Sequence, residues 1–214
     1  QLIKKILNLV PNLMRLRLSS IDCAEITQDF WSILLDKRLM PHFHLSLQAG
    51  NDLILKRMKR RHTRKQAIDF CNEVRKRRSD VVFGADIIAG FPTETNEMFD
   101  DTVKLIDECN ITHTHIFPFS PRQSTPASLM PQVPRDIIKS RAKKLRDCGE
   151  KNLLQYLKQQ IGKKAIMLVE NSDVQGSYGK SQHFTNIHIN KALPKGLIIN
   201  CEIIEIKENI LQAQ

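Results

Sequence analysis

The sequence predicts an α/β protein: half of a parallel strand–helix barrel, followed by a small antiparallel β-barrel. Three observations carry this. Strand-like segments begin near residues 14, 42, 81 and 112 and alternate with helical ones, the pattern of a parallel sheet. Four such units over about 120 residues make half of an eight-stranded barrel, or most of a smaller open one. Beyond Gly162 the texture changes to short strands separated by Gly, Ser, Asn and Pro, as in a small closed barrel.

The elements follow in order. "QLIKKILNLVPNL" alternates charge and hydrophobe at helical spacing. It lacks a continuous apolar stretch and a small-residue cleavage site, so it is not a signal peptide. The start at Gln1, without a methionine, leads us to expect a fragment. "MRLRL", Met14 to Leu18, reads as a strand ending at Ser19-Ser20. Ile26, Phe30, Ile33, Leu34 and Leu35 predict a helix over Ala24–Arg38. "HFHLSLQ", His42 to Gln48, alternates, with Phe43, Leu45 and Leu47 on one face. A short helical turn after "AGND" leads into a basic helix through Ala67, Ile68, Cys71 and Val74. "VVFGADIIAG" is the third strand, and Met98, Phe99, Val103, Leu105, Ile106 and Cys109 mark the helix after it. Thr93 or Thr95 can cap that helix, with Glu94 and Glu97 near its positive end. "THTHIFPF", Thr112 to Phe119, is the fourth strand, and a basic helical region runs from Pro134 to about Gln160. "AIMLVE", "FTNIHI" and "LIINCEIIEI" are the strands of the tail, and "GSYGKS" reads as a loop. The expected domains are therefore 1–133, a helical connector at 134–161, and 162–214.

Composition excludes several classes. With 41% hydrophobic and 26% charged residues the chain is neither wholly disordered nor membrane-spanning. Its five cysteines, Cys23, Cys71, Cys109, Cys148 and Cys201, form no C-x-x-C pair. They fit reduced cytoplasmic thiols better than a disulfide framework or a local iron–sulfur loop. The net charge of +10 is clustered: Lys56–Arg78 has eleven Lys/Arg against two acids, and Arg135–Lys164 has ten against three. Such clustering points to a polyanion partner.

In parallel barrels the reactive face lies at the carboxyl ends of the strands. Here these ends read Ser19-Ser20, Gln48-Ala49-Gly50, Gly90-Phe91-Pro92 and Phe119-Ser120-Pro121-Arg122. Gly or Pro beside polar groups is the composition of ligand-cradling turns.

"LRLSSID", "HLSLQAGND", "RMKRRHT", "DIIAGFPTE" and "HIFPFSPRQSTPA" occur in an order and spacing that resembles the radical S-adenosylmethionine methylthiotransferases. The likeness is closest to the bacterial branch that methylthiolates threonylcarbamoyladenosine in tRNA, and it covers nearly the whole chain. It departs at Thr93, where the family usually has glycine. The resemblance implies the last four units of a radical-SAM partial TIM-type barrel, then a TRAM-like RNA-binding barrel. It also implies addition of a methylthio group to C2 of the N6-threonylcarbamoyladenosine next to the anticodon. The implied cofactors are S-adenosylmethionine and 4Fe-4S clusters.

The family's cluster cysteines, a C-x-x-x-C-x-x-C loop and an N-terminal set, are absent from this sequence. Inactivity alone is therefore expected, and a complementary N-terminal fragment is an expected partner beside the tRNA anticodon stem-loop. The alternative is a non-catalytic RNA-binding remnant of a split or truncated gene. The expected location is the cytoplasm, with no membrane partner.

By resemblance, Gln48, Arg60, Asp86, Gly90, Phe119, Ser120 and Arg122 border S-adenosylmethionine. Arg60 would meet its carboxylate, and Gly90 would allow close backbone approach. No catalytic residue is assigned to this chain. His42 with His44, and His113 with His115, each share a strand face. No third ligand is evident beside them and the resemblance implies no metal there, so polar packing is expected. In the tail, Tyr178 is the stacking candidate for an RNA base, with Lys163, Lys164 and Lys180 following the phosphates.

Overall fold

The structure, a computed structural model, describes all residues from Gln1 to Gln214. It divides into two compact units, one of Gln1–Leu39 and Phe43–Asn152, the other of Met40–His42 and Leu153–Gln214. No helix is long and apolar enough to cross a membrane.

The first unit is built on a four-stranded sheet of order β1-β2-β3-β4. Its strands are β1 (Leu16–Ile21), β2 (Leu39–Gln48), β3 (Val82–Ala89) and β4 (Ile111–Pro118). The β1–β2 and β3–β4 pairs are parallel. Helices α1 (Leu2–Leu9), α2 (Gln28–Ile33), α3 (Asp52–Arg57), α4 (Arg64–Arg77) and α5 (Asn96–Glu108) complete the strand–helix repeat, and α6 (Arg135–Lys158) follows it. Alternation along the strands sends Phe43, Leu45, Leu47, Phe83, Ala85 and Ile87 into one core. The opposite face receives His42, His44, Asp86, His113 and His115, because side chains two apart share a face.

Two sequence expectations shift. The first strand runs to Ile21, not Ser19-Ser20. The helix expected over Ala24–Arg38 is a 3-10 turn at Cys23–Glu25 and then the short α2. Asp22 caps the turn by accepting from Ala24 N–H at 3.0 Å, and Ile26 is extended, so apolar periodicity yields to two local starts. Leu35, one of the apolar residues whose spacing predicts that helix, is 68% exposed. The start of α4 closes a capping box: Thr63 accepts from Gln66 N–H while the Gln66 side chain accepts from Thr63 N–H.

The second unit is a closed barrel of order β5-β6-β7-β9-β8. Its strands are β5 (Lys164–Asp173), β6 (Gly176–Ser181), β7 (Asn186–Ile189), β8 (Ile198–Lys207) and β9 (Ile210–Ala213). The barrel is not wholly antiparallel, since β7 and β9 pair in parallel. "GSYGKS" is not a loop but β6. A side chain at Gly179 would collide with the Leu168 backbone, so glycine there serves close strand approach. Met167, Val169, Ile187, Ile203 and Leu211 fill the barrel, joined by Leu157 from the end of α6.

Candidate functional site

At the carboxyl end of β2, Gln48 takes a positive φ of 64°, which turns the chain sharply into the α3 segment. Gln48 borders a 390 Å³ cavity with Arg57, Lys59, Arg60, Ile88 and Phe91. The Arg60 guanidinium already has partners: it pairs with Asp22 Oδ2 at 3.1 Å and donates to the Ser46 carbonyl at 3.0 Å. Its Nε is buried without a hydrogen bond. His62 lies against the same carboxylate, with Nδ1 3.4 Å from Asp22 Oδ1 and Nε2 3.2 Å from the Leu47 carbonyl. Burial lowers the His62 pKa, so the ring is neutral and Arg60 is the charged partner. "RMKRRHT" is thus a clasp of the α3–α4 turn onto the ends of β1 and β2.

The other expected cofactor residues separate. Asp86 is not at a strand end but inside β3, its Oδ1 2.8 Å from His44 Nε2 and 3.3 Å from His115 Nδ1. Asp86 is therefore the third polar partner that the histidine pairs lacked in sequence. Gly90 has φ +74°, and a Cβ there would sit 2.5 Å from Ile138 Cγ1; its close neighbour is α6. Phe119 and Ser120 border a second cavity of 430 Å³ with Arg135, Lys139 and Arg146. Phe119 also meets Phe91 edge to face at 5.3 Å. Arg122 is exposed, and its carbonyl accepts from Thr125 N–H at 3.2 Å and Thr125 Oγ1 at 2.7 Å. The structure brings together Gln48 with Arg60, and Phe119 with Ser120.

Sequence reasoning missed Arg57, Asp22, His62 and the pairing of Glu94 with Arg141. Glu94 does not face the solvent near a helix end. Its side chain is 0% exposed, and Oε2 accepts from Gly90 N–H at 3.0 Å and from Arg141 Nη1 at 2.9 Å. Arg141 also donates to the Glu94 carbonyl and to Asn96 Oδ1. The signal was present as an arginine among the apolar positions of α6, but nothing local in the sequence names its partner. Thr93, in the same turn, holds φ +68°, a conformation costly for a β-branched residue.

The thiols suit packing, not ligation. Burial pushes Cys23 up to about 12, and it also raises Cys148 and Cys201. A hydrogen bond with Cys109, then burial, raises Cys71. Iron–sulfur clusters take thiolates, so the cysteines present do not fit one.

In the barrel, Tyr178 and Lys180 lie on the outer face of β6, between the buried Ser177, Gly179 and Ser181. Tyr178 stacks obliquely on His188, its partner on β7, with ring centroids 4.5 Å apart. The Lys180 ammonium lies 4.6 Å from the Phe184 ring centroid. Lys163 and Lys164 are exposed at the start of β5.

Comparison with known proteins bears on all of this. Residues 4–106 match the Radical SAM superfamily. Threonylcarbamoyladenosine tRNA methylthiotransferase MtaB from Rickettsia prowazekii is 48% identical over 213 residues, 99% of this chain and 50% of that protein. The tRNA-2-methylthio-N(6)-dimethylallyladenosine synthase of Ehrlichia chaffeensis is 34% identical over 188 residues, 85% of this chain and 42% of that one. The chain spans about half the length of these curated relatives. A solved structure, coproporphyrinogen III oxidase (HemN) from Escherichia coli, described as a radical SAM enzyme, matches with TM-score 0.47 and 18% identity over 73% of this chain and 36% of that one. A likeness so partial carries no weight here. Identity that runs through both units, at nearly half of all positions in the Rickettsia relative, makes the chain a member of the radical S-adenosylmethionine tRNA methylthiotransferase family.

Proposed function

We propose that this chain supplies cofactor-binding and RNA-binding surfaces to a methylthiotransferase acting on threonylcarbamoyladenosine beside the tRNA anticodon. The observation that carries the reading is the 48% identity to a protein named for that reaction, extending over 99% of the chain. The strand-end cavity supports it. A volume of 390 Å³ lies in the usual range for small-molecule sites. Its lining offers the Gln48 amide and the Arg57 and Arg60 cations together with the apolar Ile88 and Phe91. An amino-acid-linked nucleoside needs those two kinds of surface, so S-adenosylmethionine fits. When bound it supplies the radical chemistry; the residues here bind and orient it. Phe119 and Ser120 would reach the adenine end across the Phe91–Phe119 contact, while Asp86, Gly90 and Arg122 would support or border the pocket from farther away.

A four-iron cluster does not fit the cysteines present, of which Cys71, Cys109 and Cys201 are buried and four have their thiols pushed up. Cluster ligands would come from a complementary segment, and the chain alone would be inactive. The barrel, in this reading, is TRAM-like: Tyr178 stacks on a base and Lys163, Lys164 and Lys180 meet phosphates of the anticodon stem-loop. The site of action is the cytoplasm, where the tRNA is modified. The same cysteines favour a second reading, a non-catalytic RNA-binding chain.

One preparation separates these readings. After anaerobic reconstitution with iron and sulfide, the folded chain is titrated with S-adenosylmethionine and with anticodon stem-loop RNA. The proposal expects no stoichiometric cluster, saturable cofactor binding that weakens in Gln48→Ala, and salt-dependent RNA binding. RNA binding without cofactor binding would favour the second reading. A stoichiometric cysteine-bound cluster would overturn the assignment of the ligands to another segment.

A further inference from the structure

The polar face of the first sheet carries a constellation of which the cofactor reading uses only Asp86, at the border of the pocket. Three neighbouring strands each contribute one side chain: His44 from β2, Asp86 from β3 and His115 from β4. Asp86 and His115 are direct partners in the parallel register. One donor atom from each residue lies within 4.8 Å of the other two. His44 Nε2 is 2.8 Å and His115 Nδ1 3.3 Å from the same carboxylate oxygen, and the two imidazole centroids are 4.5 Å apart.

Around a tetrahedral zinc ion with bonds of about 2.0–2.2 Å, adjacent donors lie roughly 3.3–3.5 Å apart. The His115–Asp86 separation of 3.3 Å already matches, the His44–Asp86 contact of 2.8 Å has to open by about 0.5–0.7 Å, and the two histidine donors lie within 4.8 Å of each other. Burial is graded across the group: the His44 side chain is 11% exposed, Asp86 25% and His115 59%. The sheet holds all three ligands, and the exposed His115 side gives access to water, which would complete the coordination.

The geometry points to a binding site for one borderline divalent transition-metal ion, of which zinc is the probe, held by His44 Nε2, Asp86 Oδ1 and His115 Nδ1. Two imidazoles and one carboxylate are a donor set that such ions prefer over magnesium or calcium. Binding requires each imidazole to present a lone pair at the nitrogen facing the ion. A proton shared with Asp86 in the metal-free chain therefore moves to the other ring nitrogen or is released.

The test is calorimetric titration of chelator-treated full chain with zinc chloride, repeated with cobalt(II) to read visible ligand-field bands. One equivalent of zinc is expected. His115→Ala and Asp86→Asn should each weaken binding at least ~tenfold and remove the cobalt bands, whereas His188→Ala in the barrel should leave both unchanged. His115 is the exposed member, so its variant keeps the test usable if His44→Ala fails to fold; circular dichroism verifies the fold of each variant. Absence of stoichiometric uptake, or uptake unchanged in both His115→Ala and Asp86→Asn, would overturn the site and leave the three residues as a hydrogen-bonded cluster.

Discussion

Replacing Arg141 by alanine removes the only cation bound to the Glu94 carboxylate. The Glu94 side chain is fully buried and that of Arg141 is 7% exposed, so water cannot take over the role. Three hydrogen bonds are lost with the guanidinium: those to Glu94 Oε2, the Glu94 carbonyl and Asn96 Oδ1. Breaking a buried pair from one side costs about 3–5 kcal/mol, because the remaining charge is uncompensated. The double variant Glu94→Gln/Arg141→Met keeps an acceptor for Gly90 N–H without a buried charge, and should cost only about 1 kcal/mol. The assay is urea denaturation at fixed ionic strength, completed as a double-mutant cycle.

pH sharpens this prediction. Burial pushes Glu94 above its ordinary 4.5, against the opposing pull of Arg141. The fold therefore favours the protonated acid. This contribution is complete below the unfolded value and is lost as pH rises through the higher folded value. Without Arg141 the folded value moves higher still, so the deficit of Arg141→Ala should be smaller near pH 5 than at pH 8. A deficit below about 1 kcal/mol at pH 8, or one that does not change with pH, would refute the reasoning.

Five further variants have expected outcomes. Thr93→Gly relieves the positive φ of 68° but loses the 2.6 Å hydrogen bond from the charged Arg57; the two effects are of similar size, so calorimetry should record a change in stability within about 1 kcal/mol of zero. Arg60→Ala should cost about 1–2 kcal/mol of stability through Asp22 and Ser46 as well as weakening S-adenosylmethionine. Gln48→Ala should weaken the cofactor about tenfold with little loss of stability, and equal melting losses in both would remove Gln48 from the ligand surface. Tyr178→Ala should weaken anticodon stem-loop binding by about 1–3 kcal/mol at every salt concentration, whereas Lys180→Ala should mainly flatten the salt slope. Identical salt slopes in the two variants would separate Lys180 from the phosphates.

The alternating strands, the helix caps and the change of texture near Gly162 were legible because each depends on neighbours within a few residues. Thr95 caps α5, its Oγ1 accepting from Met98 N–H at 3.3 Å, as local chemistry predicts. Long-range closure was not legible. Nothing in "DIIAGFPTE" announces that Glu94 meets an arginine 47 residues later, or that Gly90 is small for the sake of Ile138. The resemblance puts Asp86 at the cofactor pocket, and nothing local in the sequence names its partners. Only the register between β3 and β4 sets it beside His115. β6 was missed for a related reason: strand propensity is low for Gly and Ser, and the fit of Gly179 against Leu168 appears only once the barrel closes. The parallel β7–β9 pair likewise follows from closure, not from any hairpin signal.

The most direct test is nucleoside mass spectrometry on tRNA from bacteria that lack their own methylthiotransferase. The cells carry this chain together with the part of the Rickettsia relative that it does not cover. We expect the methylthio derivative of threonylcarbamoyladenosine when both parts are present, and neither part alone to produce it. Gln48→Ala should reduce the yield. Methylthiolation by this chain alone, or of a different adenosine, would contradict the account, as would unmodified tRNA from cells in which the two parts co-purify.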